Sequence, residues 1–227
     1  MPFEFMPVRP KERQPFHCQL CGRCCKGVEQ AIMLEPLDIY HLCRHFRACG
    51  YHIDSIEKLL AEYAQPTMIT DVVPIFTLKA VGPEKSCVFL KDNRCSVYDA
   101  RPRVCRLYPF AVKPGERGRE FLYYLSKDQL HHFTGGSVSV KDWFYQNFPK
   151  DERAFVKADY EAAAFYGKEI QKMGETRFQN MMFSFLFYRY YNYDLERPFL
   201  PQFLENHEAL KRLMESQHTA EQLDQKE

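Results

Sequence analysis

The chain has 227 residues, 45% of them hydrophobic and 15% aromatic, enough to bury a core without cross-links. Lysine and arginine number 31 against 30 aspartate and glutamate, so the chain lacks the basic excess that binding a polyanion calls for, and no nucleic-acid partner is expected. The opening MPFEFMPVRPKERQPF has no apolar run for a secretory signal, and MMFSFLFYRYYNY at 181–193 is too short to span a bilayer and carries Arg189. The expectation is a cytoplasmic chain with reduced thiols and no membrane partner.

In chain order, EQAIMLEP (29–36) reads as a short strand and EPLDIYHLCRHFRACG (35–50) as a helix, with Pro36 in its first turn and Gly50 at its C-terminal end. Leu37, Tyr40, Leu42, Cys43 and Phe46 share an apolar face, which puts Cys43 in the core rather than on a metal. A second helix starts near Asp54, capped by Asp54 or Ser55, and presents Ile56, Leu59, Leu60 and Tyr63. TMITDVVPIFTLKA (67–80) is β-branched but interrupted by Pro74, the pattern of an edge strand. CVFLKDNRCSVY (87–98) folds as a hairpin about Asp92-Asn93, and DARPRVCR (99–106) opens a short helix with Asp99 as cap and Pro102 in its first turn. KPGERGREFLYYLS (113–126) is a turn and then a strand.

From residue 139 the pattern turns helical. Ser139 and Asp142 start one helix, and a long one runs from about Pro149 to Met173 and stops at Gly174. Thr176 caps a third, and a last follows Pro201. Phe178, Met181, Met182, Phe185, Leu186 and Tyr188 recur at helical spacing, which assigns them to core packing rather than to a cofactor. The fold class is therefore α+β, mostly helical, with a short irregular β component and a metal-stabilised cysteine-rich module. Residues 1–125 form that module, 126–216 a helical layer packed on it, and 217–227 a flexible tail.

All nine cysteines fall in the first 105 residues: Cys18, Cys21, Cys24, Cys25, Cys43, Cys49, Cys87, Cys95 and Cys105. Four crowd into FHCQLCGRCCKG (16–27). Thiolates are soft donors suited to zinc or iron-sulfur iron, and C-x-x-C spacing lets one turn offer two sulfurs to the same centre. Gly22, following Cys21, supplies the positive φ such a turn needs. Neighbouring side chains diverge, so at least one of Cys24 and Cys25 turns toward a second group made by Cys87, Cys95 and Cys105. A polynuclear site fits this arithmetic better than one zinc ion. The alternative, a reduced cluster without metal, leaves crowded thiols open to oxidation for no gain. Cys49, near a helix end, carries no such signal, and His17 beside the first ligand reads more simply as solvent-facing. Arg101, Arg103 and Arg106 surround Cys105, either offsetting thiolate charge and pairing with carboxylates or receiving an anionic substrate group. No G-x-G-x-x-G after a strand, no phosphate-binding G-x-x-x-x-G-K-[ST] and no C-x-x-x-C-x-x-C is present.

FHCQLCGRCC followed by CVFLKDNRCSVYDARPRVCRLYPF resembles the YkgJ-type cysteine-cluster family, the CxxCxxCC zinc- or iron-chelating domain, which includes flagellin lysine N-methylases. The motif positions are filled by Cys18, Cys21, Gly22, Cys24, Cys25, Cys87, Phe89, Leu90, Cys95, Tyr98, Arg101, Pro102, Cys105, Arg106, Tyr108 and Pro109. The resemblance implies metal ligation by Cys18, Cys21, Cys24, Cys25, Cys87, Cys95 and Cys105. The thiolate count favours an iron-sulfur cluster (4Fe-4S in type) over zinc. The family often carries a further cysteine after the next strand. Here SKDQLHHFTGGS (126–137) stands in that place: either His131 or His132 replaces that ligand, or the site closes with seven thiolates. The resemblance also implies S-adenosylmethionine as a cofactor and a flagellin-like protein as a partner for protein lysine N-methylation, against the alternative of a non-enzymatic structural or metal-handling module. The sequence identifies no catalytic base.

Overall fold

The computed structural model describes residues 5–69, 73–115 and 120–224, with side chains as far as Ser216. The N-terminal half carries most of the strands: β1 Phe5–Val8, β2 Arg13–Pro15, β3 Met33–Leu34, then helices α1 Pro36–Ala48 and α2 Ile56–Tyr63. There follow β4 Ala64–Met68, β5 Pro74–Leu78, β6 Ala80–Val81, β7 Ser86–Cys87, β8 Leu90–Lys91, β9 Arg94–Cys95, α3 Arg103–Leu107, β10 Phe110–Pro114 and β11 Phe121–Ser126. After β12 Ser137–Ser139 the chain is helical: α4 Val140–Asn147, α5 Lys150–Met173, α6 Glu175–Leu186 and α7 Phe199–Asp224. This is the mixed α+β class expected from the sequence.

Most local signals act where they were read. Pro36 opens α1, and Gly50 follows its end with φ 72°. Ser55 caps α2 by accepting from the Lys58 amide at 3.3 Å, and Ser139 caps α4 by accepting from the Asp142 amide at 3.3 Å. Three readings are corrected. β5 is the central strand of the sheet β3-β5-β4, not an edge, and Pro74 is tolerated because it occupies the strand's first position; residues 70–72 of that segment lie outside the described residues. Thr176 does not cap α6, because Gly174 (φ 76°) breaks the chain and the helix resumes at Glu175. α7 starts at Phe199, which leaves Pro201 inside its first turn, where the missing amide costs nothing. Residues 116–119 of the expected turn before β11 also lie outside the described residues.

One apolar core runs from α1 and α2 into the helical layer. Tyr40, Leu42, Cys43, Phe46 and Leu59 are buried with Phe155, Phe178 and Tyr190 in the same cluster. The aromatic run ends in a π-helical turn, Phe187–Tyr191, which swings Tyr190 edge-on to Phe76 of β5, ring centres 5.1 Å apart. The Tyr40 hydroxyl donates to the Arg197 carbonyl at 2.6 Å, fastening α1 to the loop before α7. A smaller cluster of Phe110, Leu125 and Val140, with Trp143 and Phe133 against it, supports the sheet β1-β11-β10. Among the described residues no helix is long and apolar enough to cross a membrane.

Candidate metal centre

The first cysteine loop is positioned from both ends. β2 pairs antiparallel with β12, and the pairing is prolonged by Phe16 N to Gly136 O at 3.2 Å and His17 N to His132 O at 3.0 Å. Phe16 is buried among Tyr108, His132, Phe133 and Trp143. The chain then reverses at Leu20 (φ 52°) and Gly22 (φ 68°) and enters a single 3₁₀ turn, Arg23–Cys25. Gly22 is needed twice over: for its left-handed backbone, and because a Cβ there would stand 2.6 Å from the Asn93 carbonyl oxygen. On the far side, Gly27 N bonds Glu84 O at 3.0 Å and Val28 N bonds Lys85 O at 2.9 Å, holding the loop against the turn that delivers Cys87.

The later cysteines come from three separate devices. Cys87 ends the two-residue strand β7, and Cys95 lies opposite Leu90 in the hairpin β8–β9. That hairpin turns at Asp92 and Asn93 with φ 49° and 59°, as the sequence predicted. Cys105 sits on α3, whose start is fixed from a distance. The Arg103 amide donates to buried Asp38 of α1 at 2.7 Å, so the expected Asp99 cap is replaced; Asp99 occupies a 3₁₀ turn, Tyr98–Ala100. Burial, then the nearby Glu35, pushes the Asp38 carboxyl up to about 7.

All seven motif cysteines line one cavity of about 700 Å³, together with His132. All nine cysteines are free thiols. Cys43 is in the core, as its helix face indicated, and Cys49 is exposed at the end of α1. His17 is exposed.

Within the cavity the sulfurs fall into two groups. Cys24 and Cys25 both interact electrostatically with the later cysteines, where the sequence asked this of at least one. A hydrogen bond from the Cys25 thiol draws Cys24 down to about 7, and the same bond, with burial, pushes Cys25 up. Both belong with the later cysteines. Burial raises Cys105, and Cys87, Cys24 and Cys95 raise it further; burial and then Cys95 and Cys24 push Cys87 up to about 11, against a hydrogen bond from the Phe89 amide. The charges of these five thiols oppose one another, and a multivalent cation would offset them; among the described residues, only Cys21, His131 and His132 bring three donor atoms within 4.8 Å of one another.

Cys21 meets histidines in place of thiols. Its Sγ lies 3.1 Å from His132 Nε2 and 3.3 Å from His131 Nε2. The sequence offered one histidine or the other; the structure brings both to one sulfur. The two histidines lie in the 3₁₀ turn Leu130–His132, with their imidazole centres 4.1 Å apart. The His131 carbonyl accepts from Gln19 Nε2 at 3.0 Å, which fixes the turn against the cysteine loop, and from Thr134 Oγ1 at 3.1 Å within the turn itself. Tyr108 Oη lies 3.2 Å from His132 Nδ1, a role not read from the sequence although Tyr108 stands in the motif.

The three arginines separate by partner. Arg103 forms a two-pronged pair with Glu35, its Nε 2.7 Å from Oε2. Arg106 pairs with Glu152 at 2.9 and 2.5 Å. Both charges are thereby committed to carboxylates. Arg101 lies over the Tyr98 ring at 3.6 Å and lowers the Cys24 thiol, so its charge is turned to the thiolates.

A family model described as "CxxCxxCC: Putative zinc- or iron-chelating domain" matches residues 17–134, which takes in the seven cysteines and both histidines. "Uncharacterized protein MJ0661" of Methanocaldococcus jannaschii is 29% identical over 100 residues, 43% of this chain and 46% of that protein, so the match spans about half the length of the curated relative. No solved structure matches.

Proposed function

Because the chain belongs to the CxxCxxCC family of zinc- or iron-chelating domains, we propose that Cys18, Cys21, Cys24, Cys25, Cys87, Cys95 and Cys105 bind metal, with an iron-sulfur cluster favoured over zinc in the thiolate-rich part. One observation carries this reading: sulfurs delivered by the first loop, two hairpins and α3 meet on a single cavity while none is spent in a disulfide. Five thiols exceed the four that either one tetrahedral zinc or one cluster held by four cysteines takes, so the count supports more than one metal atom rather than one particular metal. Anaerobic purification followed by visible spectroscopy, iron and acid-labile sulfide determination tests it. A brown protein with iron and sulfide is the expected result; a colourless protein carrying zinc replaces the cluster with a structural metal, and a metal-free protein with reactive thiols overturns metal binding.

A catalytic role is favoured by the cavity itself. Its volume of about 700 Å³ is in the range of small-molecule sites, and carbon-rich walls from Leu20, Ile32, Leu78, Phe89 and Val104 extend beyond the sulfurs. Room for a small molecule supports S-adenosylmethionine as co-substrate, while a flagellin-like protein as the acceptor of lysine N-methylation rests on the family resemblance alone. Titration of the metal-loaded protein with S-adenosylmethionine decides it: saturable binding below about 1 mM is expected, and none at that concentration removes the transferase reading.

A further inference from the structure

We infer that Cys21, His131 and His132 form a second, mononuclear metal site, chemically distinct from the thiolate centre beside it; this rests on the metal-binding reading above and refines it. The donor geometry supports it directly. In a tetrahedral zinc site, a metal–sulfur bond of about 2.3 Å and a metal–nitrogen bond of about 2.0 Å set sulfur and nitrogen about 3.5 Å apart. The two observed separations, 3.1 and 3.3 Å, fall a few tenths of an ångström inside that edge. All three donor atoms lie within 4.8 Å of one another. A neutral thiol that donates its proton to one imidazole and accepts the N–H of the other would make the same two contacts, and the cobalt titration below separates that arrangement from a metal site.

The surroundings are those of a built site. Both rings present Nε2, and for His132 the opposite nitrogen meets the Tyr108 hydroxyl at 3.2 Å, the kind of contact that fixes a ligating imidazole in orientation and tautomer. The His17 backbone amide and the Gln19 side-chain amide hold the histidine turn against the cysteine loop independently of any metal. One sulfur and two nitrogens select a borderline divalent ion such as zinc or cobalt rather than an iron-sulfur cluster. Binding expels the Cys21 thiol proton and engages both imidazoles as neutral donors. Three protein donors would leave a fourth tetrahedral position for water or another ligand, and Cys21 and His132 both line the cavity.

Cobalt(II) titration of the full chain tests this, after any iron and sulfide have been quantified. The wild type is expected to take up one cobalt with sulfur-to-cobalt charge-transfer and tetrahedral d–d bands. His131→Ala alters an exposed side chain, so it tests the site without threatening the fold, and is expected to weaken that equivalent by at least about tenfold. Tyr108→Phe should weaken it by about tenfold through His132. Iron and sulfide should be unchanged in both. Cys95→Ser serves as the reciprocal control: it should reduce iron and sulfide and leave the cobalt bands in place. If His131→Ala and Tyr108→Phe bind cobalt as the wild type does, the second site is wrong even where the cluster is present. If cobalt binds with these sensitivities but no iron or sulfide is found, the cluster reading fails and the second site stands.

Discussion

At the residue scale the site depends on a few side chains that no neighbour can replace. Gly22 is one. Alanine there would enter the left-handed region and press its methyl on the Asn93 carbonyl, so Gly22→Ala should cost about 2 kcal/mol or more and lower the bound metal, measured by urea denaturation and metal analysis. Glu152 is another. Its carboxylate is buried against Arg106, and Glu152→Gln leaves that guanidinium without its counter-charge; a loss of about 3 kcal/mol is expected in urea unfolding. The motif cysteines and Gly22 were legible because spacing alone carries their meaning. The joint approach of His131 and His132 to Cys21 was not. It depends on a contact across 110 residues, and only the finished fold supplies it. The same holds for Asp38, which reads as an ordinary first-turn residue of α1 yet receives the Arg103 amide.

At the scale of elements, the cysteine-rich half is built from pieces too small to persist alone. β6, β7, β8 and β9 have two residues each, and a pair of such strands gives too little hydrogen bonding to offset its ordering entropy. Metal ligation by Cys87 and Cys95 is the proposed fastening. Removing the metal with a chelator should therefore raise amide exchange across residues 80–95 while α5 and α7 keep their protection, as read by hydrogen-exchange mass spectrometry. Equal protection with and without metal would contradict this. The hairpin at Asp92-Asn93 and the starts of α1, α2 and α4 were legible from local turn and cap chemistry. β5 was not. Pro74 forbids a hydrogen bond only at its own position, and its place at the strand's first residue frees the rest to be central.

Across the whole molecule, the helical layer shares one apolar core with α1 and α2, so the floor under the cysteines is as firm as the helices behind it. That layer has its own pH sensitivity. His207 on α7 lies 2.8 Å from the Tyr166 hydroxyl, and burial, opposed by Glu208, holds its imidazole below the ordinary histidine value. A depressed histidine binds its proton more readily when the chain is unfolded, so stability is full above about pH 6.5 and falls as the pH drops from there toward the lowered value. His207→Gln should flatten this fall, which urea midpoints of both proteins between pH 8 and 5, on the order of those limits, will show. An unchanged slope would assign the acid sensitivity to other groups.

The most direct measurement of the shared metal pocket is residue-by-residue alkylation of the anaerobically purified chain, with and without prior chelation, read by mass spectrometry. Cys24 and Cys49 are both exposed, so geometry alone would leave both reactive. The expected result is that Cys49 is alkylated at once while Cys24 and the other six motif cysteines stay protected until chelator strips the metal. Prompt alkylation of Cys24 in the untreated protein, with no metal released on denaturation, would contradict it.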